Sequence, residues 1–578
     1  MKREKTAAPA SVGWRRAELH TGVALLAGVM MTTAMPPFPY TGALAVPALA
    51  LLFVLVSGDE RPGRRAWFFG LAHQTTLLYW LFFLDPAKSI PTRLLVPVQA
   101  VAAILYVSAF YALFGWAMGR LRRLMAPGGD SAAGSGSLAV APVLWVGMEM
   151  LRGWGELGFP WCLTGAAWIM SPVRPLAAAS GEIGLSAATA LLGAAVGWLF
   201  LRGKPSLARR GGARPAAGRD GPARALPYLA AAAWAALALG TWLGGVSRPP
   251  GDDLADSGVA QGSASSLRGP DEGPAPDRPR TAPFTVAAVQ ADVSLRDKWD
   301  PARIDSTRLP YAALTAEAAG AGATLVVWAE TAIPAYLRYS ADLLDWARRQ
   351  ARDNDVWLYT GFPDAERDPL TGETLRFNSS GLLAPDGTLV DRYAKHHLLP
   401  IGERMPFSDV LPIVGRIDVG QAEWRPGARP QPLTFVTMEG RFSFAGLICF
   451  EGIFGDLARQ AVRRGAQALV NITNDGWFGN SSGPLQHAEL ARLRAVECGV
   501  PLIRAANNGI SYVCDPRGRY LGYLGLGERG YVAAVIQPVR GDTPFLHLGS
   551  WPMTGALALW LTVALLWWRR AGRGGAGR

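Results

Sequence analysis

Phe442–Phe450 reads FSFAGLICF, nine residues with one hydroxyl (Ser443) and no charge, and Glu451 follows at once. A near-continuous apolar run of this length, rich in aromatic and branched residues, is the pattern of a strand covered on both faces. Comparable runs recur on either side of it: FTVAAVQAD at 284–292, ATLVVWAE at 323–330, VWLYTGFP at 356–363, QALVNITND at 467–475 and YVAAVIQP at 531–538. Between two of them, 340–354 carries Leu343, Leu344, Trp346 and Ala347 on one helical stripe, and Asp386-Gly387 is a hairpin signal. Strands buried on both faces and separated by helical patterns predict a layered α/β domain over 283–540. No internal repeat is seen.

The rest of the chain has a different texture. Of 578 residues, 50% are hydrophobic and 18% charged, and there are 21 tryptophans, a balance unusual for a water-soluble enzyme of this size. Apolar segments near 20–35, 42–57, 66–84, 94–118, 138–150, 178–201, 226–246 and 552–568 are candidates to cross a bilayer. The first is read as a retained helix and not a signal peptide, because PPFPY at 36–40 offers no small-residue cleavage site and a second apolar run follows.

Charge placement tests that count. Lys2, Arg3, Lys5, Arg15 and Arg16 precede the first segment. Arg61, Arg64 and Arg65 follow the second, and Arg120, Arg122 and Arg123 follow the fourth. The stretch 202–224 after the sixth is basic, as are Arg569, Arg570, Arg573 and Arg578 after the eighth. Eight spans with both termini in the cytoplasm put every one of these clusters inside. The net charge of +12 is thus a topology signal, and no nucleic-acid partner is expected. The expected organisation is a membrane domain of seven helices over 1–248, a Pro/Gly/Asp-rich disordered linker over 249–282, the α/β domain over 283–540 on the outer face, and a last helix with a basic tail over 541–578.

Three residues inside the α/β domain carry chemistry. Glu330 ends an apolar run, Lys395 lies in YAKHHLLP, and Cys449 ends FSFAGLIC. Singly, each has a bland reading as a turn carboxylate, a surface lysine or a small core residue. Together they form an acyl-transfer set: a base for the thiol proton, a cation for the developing oxyanion and a nucleophile. The four cysteines (Cys162, Cys449, Cys498, Cys514) have no metal-ligand spacing, so neither metal nor cofactor is expected, and pairing of Cys498 with Cys514 is left open.

In their longer contexts the three motifs resemble the Glu-Lys-Cys pattern of the carbon–nitrogen hydrolase (nitrilase) superfamily. Flanking stretches narrow the resemblance to its apolipoprotein N-acyltransferase branch: SLRDKWDP, VVWAETAIP, DRYAKHHLLPIGERMPF, ICFEGIF, NDGWFGNSSGPLQHAELARLRA and RAANNG, with EMLRGWGELGFPW at 149–161 and GSWP at 549–552. The resemblance covers nearly the whole chain and implies a nitrilase-like αββα sandwich beside the helical domain. It implies Glu330 as general base, Lys395 as electrostatic stabiliser and Cys449 as nucleophile. Glu403 would orient the lysine, Glu451 and Phe450 would flank the nucleophile, and Trp299 in KWD would be a lid or substrate contact. Ile401 stands where the family more usually has Phe, and the 249–282 linker is longer than the family's.

The implied activity moves an acyl chain from a phospholipid (phosphatidylethanolamine or phosphatidylglycerol) through a Cys thioester to the α-amine of a diacylglyceryl-cysteine at an apolipoprotein N-terminus. The implied setting is a bacterial inner membrane with the catalytic domain in the periplasm, and an eight-span base suits a monomer. A membrane-tethered amidase would share the triad but need one anchor. A transporter is disfavoured because ionisable residues within the spans are few; Glu182, near the start of the sixth, reads as a helix N-terminal carboxylate. An intact triad argues against an inactive scaffold.

Overall fold

An apolar segment satisfies its own backbone as a helix, and among the described residues six long helices precede residue 203. They are α1 (Ala10–Thr33), α2 (Ala45–Gly58), α3 (Pro62–Leu77), α4 (Leu95–Met125), α5 (Ala141–Arg152) and α6 (Ala177–Arg202). The computed structural model describes residues 10–84, 95–125, 137–202, 282–411, 413, 423–438 and 440–573. The expected span at 226–246 and nearly all of the expected linker lie outside these residues.

Among the described residues, three segments are long and apolar enough to cross a membrane: Thr41–Gly58, Leu95–Leu124 and Arg174–Leu201. The expected span at 66–84 is differently bounded. Pro62, in a first turn where its missing N–H is no loss, starts α3 early, and the helix gives way to a 3-10 turn at Tyr79–Phe83. Arg64 and Arg65 therefore belong to α3 and not to a loop. Arg65 is buried, its Nε donating to Asp59 Oδ2 at 2.8 Å.

The six helices share one apolar core. Trp145 of α5 is its hub, with the rings of Phe53, Phe69, Tyr111 and Phe114 edge-on at 5.3–6.1 Å. Glycine sets how closely α1 meets α3: a Cβ on Gly28 would sit 2.3 Å from the Phe69 carbonyl oxygen. Residue 181 breaks α6, because Gly181 takes φ 69°, ψ −175°. Glu182 thus begins the second part of that helix, as its N-terminal reading requires.

The α/β part holds two six-stranded sheets. One runs β12-β1-β2-β3-β4-β5 and the other β11-β10-β9-β8-β7-β6. In the first sheet, β1 (Phe284–Gln290), β2 (Leu325–Val327) and β3 (Trp357–Arg367) are parallel. In the second, β7 (Gly440–Ile448), β8 (Ala468–Thr473) and β9 (Leu502–Ala506) are parallel. Val286, Val327, Tyr359, Phe444, Val470 and Ile503 fill the layer between the sheets. Helices α7 (Ile304–Gly320) and α8 (Ala341–Asp353) cover the first sheet, and α9 (Gly455–Arg463) and α10 (Gly483–Cys498) cover the second. This is the αββα order the resemblance implied.

The quoted apolar runs all become strands, β12 being Gly530–Ile536, and the 340–354 stripe becomes α8. Asp386-Gly387 turns between β4 (Thr374–Leu383) and β5 (Leu389–Ala394), with Gly387 at φ 84°. Half-polar β4 and β5, the short edges β6 (Leu433–Thr437) and β11 (Tyr520–Leu524), and the short β10 (Ser511–Cys514) between β11 and β9 have no matching apolar run. All four cysteines are free thiols, so Cys498 and Cys514 do not pair.

The two parts are joined along α10. Gln486 Oε1 accepts from Trp80 Nε1 at 3.1 Å and Trp161 Nε1 at 2.9 Å, and its Nε2 donates to the Pro36 carbonyl at 3.1 Å. At the other end, Arg494 Nη2 donates to Glu182 Oε2 at 3.0 Å, and Glu497 Oε1 accepts from the Glu182 amide at 2.7 Å. A final helix, α11 (Trp551–Arg573), returns to the bundle, where Trp560 Nε1 donates to the Ala139 carbonyl at 2.7 Å.

Candidate active site

The three chemistry-bearing residues all leave strand ends. Glu330 lies just past β2, Lys395 directly follows β5, and Cys449 directly follows β7. Cys449 sits at φ 52°, in the left-handed region that an L residue occupies only at a cost, and a 3-10 turn runs on through Ile453. The chain thus turns in a sharp elbow at the thiol as it leaves the strand end.

Lys395 is buried and its Nζ lies 2.7 Å from Glu403 Oε2 and 3.9 Å from Glu330 Oε1. The sequence reading missed the residue that ties these carboxylates together. Asn378, on β4, donates through Nδ2 to Glu330 Oε1 at 2.8 Å and to Glu403 Oε1 at 2.9 Å, and its carbonyl accepts from the Lys395 amide at 2.8 Å. The Asn474 amide fixes the other Glu330 oxygen at 3.0 Å. Glu403 also accepts from the Leu399 amide at 2.8 Å. Ile401 is exposed at φ 68°, so the position of Glu403 rests on these polar contacts and not on packing by that side chain.

Electrostatics follow from this grouping. Burial works against a charged lysine, but Glu403, then Cys449 and Glu330, outweigh it and push the Lys395 pKa up, so the ammonium stays charged. For Cys449, burial and then the Glu330 charge push the thiol up, against the pull of Lys395. Cys449 rests as a neutral thiol facing a carboxylate and an ammonium. Behind them Lys298, also buried and absent from the sequence reading, donates to the Glu330 carbonyl at 2.8 Å; burial lowers its pKa to about 8.

The flanking residues do other work. Glu451 is fully buried: Oε1 accepts from Tyr393 Oη at 2.7 Å and from the His396 and His397 amides at 2.8 and 3.0 Å, and Oε2 accepts from the Ile448 amide at 2.7 Å. It clamps the segment after Lys395 to the strand before Cys449. Phe450 points the other way, into the helical bundle, stacked 6.0 Å from Phe159. Trp299 is half-exposed at the end of the short helix Leu295–Lys298.

Facing sheets with a carboxylate, an ammonium and a thiol gathered at their strand ends define a carbon–nitrogen hydrolase, and the Carbon-nitrogen hydrolase family model matches residues 285–543. The model for the Apolipoprotein N-acyltransferase N-terminal domain matches residues 27–195. The chain is 33% identical over 562 residues to an apolipoprotein N-acyltransferase of Azotobacter vinelandii, covering 96% of each chain. It is 32% identical over 557 residues to that of Geobacter metallireducens, covering 95% of each. It belongs to the apolipoprotein N-acyltransferase family. Among solved structures, an amidase from Nesterenkonia sp. is similar at 24% identity and a TM-score of 0.33, over 46% of this chain and 93% of the amidase.

Proposed function

We propose that this chain moves an acyl group from a phospholipid, through a thioester on Cys449, to the α-amine of an N-terminal diacylglyceryl-cysteine. The observation that carries the reading is the elbow itself: Cys449 faces Glu330 and Lys395, while the next residue, Phe450, is packed in the core of the helical bundle. Acyl chemistry and an apolar enclosure meet at adjacent residues.

The steps follow from the groups present. Glu330 takes the thiol proton as sulfur bonds to the ester carbonyl carbon. Lys395 and the backbone amide after Cys449 stabilise the oxyanion. As the C–O bond breaks, the leaving alkoxide takes the proton from Glu330 and departs as lyso-lipid. The amine then attacks the thioester carbon and gives a proton to Glu330. The C–S bond breaks, the amide leaves, and the thiolate recovers that proton. One site serves both substrates in turn, which is a ping-pong cycle.

A membrane setting suits this chemistry. Pulling a long acyl chain into water costs on the order of 10 kcal/mol at about 0.8 kcal/mol per CH₂. The exposed apolar residues Leu309 on α7, Tyr339, Phe407, Val410, Leu411 and Ile413 support an apolar entrance, with Trp299 at its edge. Phosphatidylethanolamine or phosphatidylglycerol would be the donor, and the enzyme works as a monomer in the bacterial inner membrane. Its parts are a membrane domain over 1–248, a linker over 249–282, a periplasmic catalytic domain over 283–540 and a final span with its tail over 541–578. The basic clusters support eight spans with both termini inside.

Topology gives the test. With Cys162, Cys498 and Cys514 replaced, a membrane-impermeant thiol reagent is expected to label Cys449 on intact spheroplasts. Labelling only after membrane disruption would overturn the orientation.

A further inference from the structure

Beneath the elbow lies a buried polar group that the mechanism above does not use. The Cys449 carbonyl oxygen receives His487 Nε2 at 3.1 Å and Asn471 Nδ2 at 3.3 Å. His487 Nδ1 lies 2.9 Å from Asp475 Oδ1 and 3.2 Å from Arg504 Nη2, and Arg504 donates in turn to Asp475 Oδ2 at 2.8 Å and to Asn471 Oδ1. All four side chains are buried to 1% exposure or less. Burial pushes the Asp475 carboxyl up, but Arg504 and then His487 outweigh it and hold the pKa at about 2. Burial first, and Arg504 next, lower that of His487.

A carbonyl oxygen carries no proton, so its contact with the imidazole requires the proton on Nε2. The ring is too deep to touch substrate: Trp161 of the bundle covers it at a centroid distance of 5.6 Å. Its neighbour Gln486 is the side chain that locks α10 to Trp80, Trp161 and the Pro36 carbonyl. One residue of α10 is therefore seated in the bundle, and the next holds the backbone of a cysteine in a costly conformation.

We infer that His487 is a positioning residue for the reaction, its Nε2–H pinning the Cys449 backbone so that the bundle, through α10, sets where the thiol stands between Glu330 and Lys395. Asp475 and Arg504 hold the imidazole, and Asn471 shares the load on the carbonyl. The inference rests on Cys449 being the nucleophile, which a Cys449→Ala control reads separately.

The test follows acyl-enzyme formation on the full-length protein in detergent micelles containing phosphatidylethanolamine. Without a donor on Nε2, the elbow relaxes and the thiol is misplaced. His487→Leu is expected to slow acylation by about 10²-fold, the scale of a misplacement near 1 Å, with KM for the donor near that of the parent. His487→Gln sets an amide N–H at the same reach and is expected to recover about tenfold of that loss. Acylation of His487→Leu at the parent rate, or no recovery in His487→Gln, would overturn the proposal. If neither variant folds, the nitrogen NMR spectrum of the histidine-labelled parent decides: a protonated Nε2 on His487 supports the inference, and a bare one ends it.

Discussion

Cys449→Ala is expected to fold, to bind lipid and to form no acyl-enzyme. The thiol is the group at the elbow able to carry a carbon–sulfur bond, and the other three cysteines are fully enclosed in apolar cores. Alanine takes the φ of 52° no worse than cysteine, so the backbone of the elbow is not the cause of the loss. Intact-protein mass spectrometry after exposure to phospholipid reads the result: the parent gains one acyl mass and the variant none. An acyl adduct on the variant would move the nucleophile elsewhere.

Glu330→Gln is expected to slow acylation by at least ~10²-fold, the scale of one general base. The resting thiol is neutral, so the base is needed in the transition state. The same carboxylate also pushes the thiol pKa up. Removing its charge leaves the pull of Lys395 less opposed, so the pKa falls. The pH profile for alkylation of the variant by iodoacetamide should therefore lie at lower pH than that of the parent, even as phospholipid acylation slows. Glutamine has one carbonyl oxygen for the two donors that Glu330 satisfies, Asn378 and the Asn474 amide, so a modest loss of stability accompanies the change. A variant acylating at the parent rate would remove Glu330 from the role of base.

Much of this site is written locally, and part of it is not. Glu330, Lys395 and Cys449 each close a stretch whose pattern is contiguous in sequence, an apolar strand or a motif, so their positions at strand ends follow from reading along the chain. Asn378 does not: it lies in TLRFNSSGLL, a half-polar strand without a continuous apolar run, and its partner Glu330 is 48 residues away. Lys298 and His487 were hidden for a related reason. A lysine in SLRDKWDP or a histidine on a helix reads as solvated, and only the tertiary fold buries them against the Glu330 and Cys449 carbonyls. Glu182 illustrates the converse. Its place at a helix start was legible, but the reason it is buried, Arg494 arriving from α10, was not.

Helix boundaries diverged where charge and hydropathy disagree. The expected third span counted apolar residues from 66, whereas Pro62 and the Arg65–Asp59 pair let α3 begin before them. Paired and buried, an arginine costs a helix far less than hydropathy assigns it.

The Cys449 thioester is expected to be kept for an amine and away from water. The direct measurement isolates acyl-enzyme formed from phospholipid and follows it by mass after adding a diacylglyceryl-modified peptide with a free N-terminal cysteine amine. The thioester is expected to persist without acceptor, to be discharged into an amide by this peptide, and to survive the same peptide with its amine acetylated. Rapid release of free fatty acid, indifferent to the amine, would contradict this expectation and leave a membrane-tethered hydrolase.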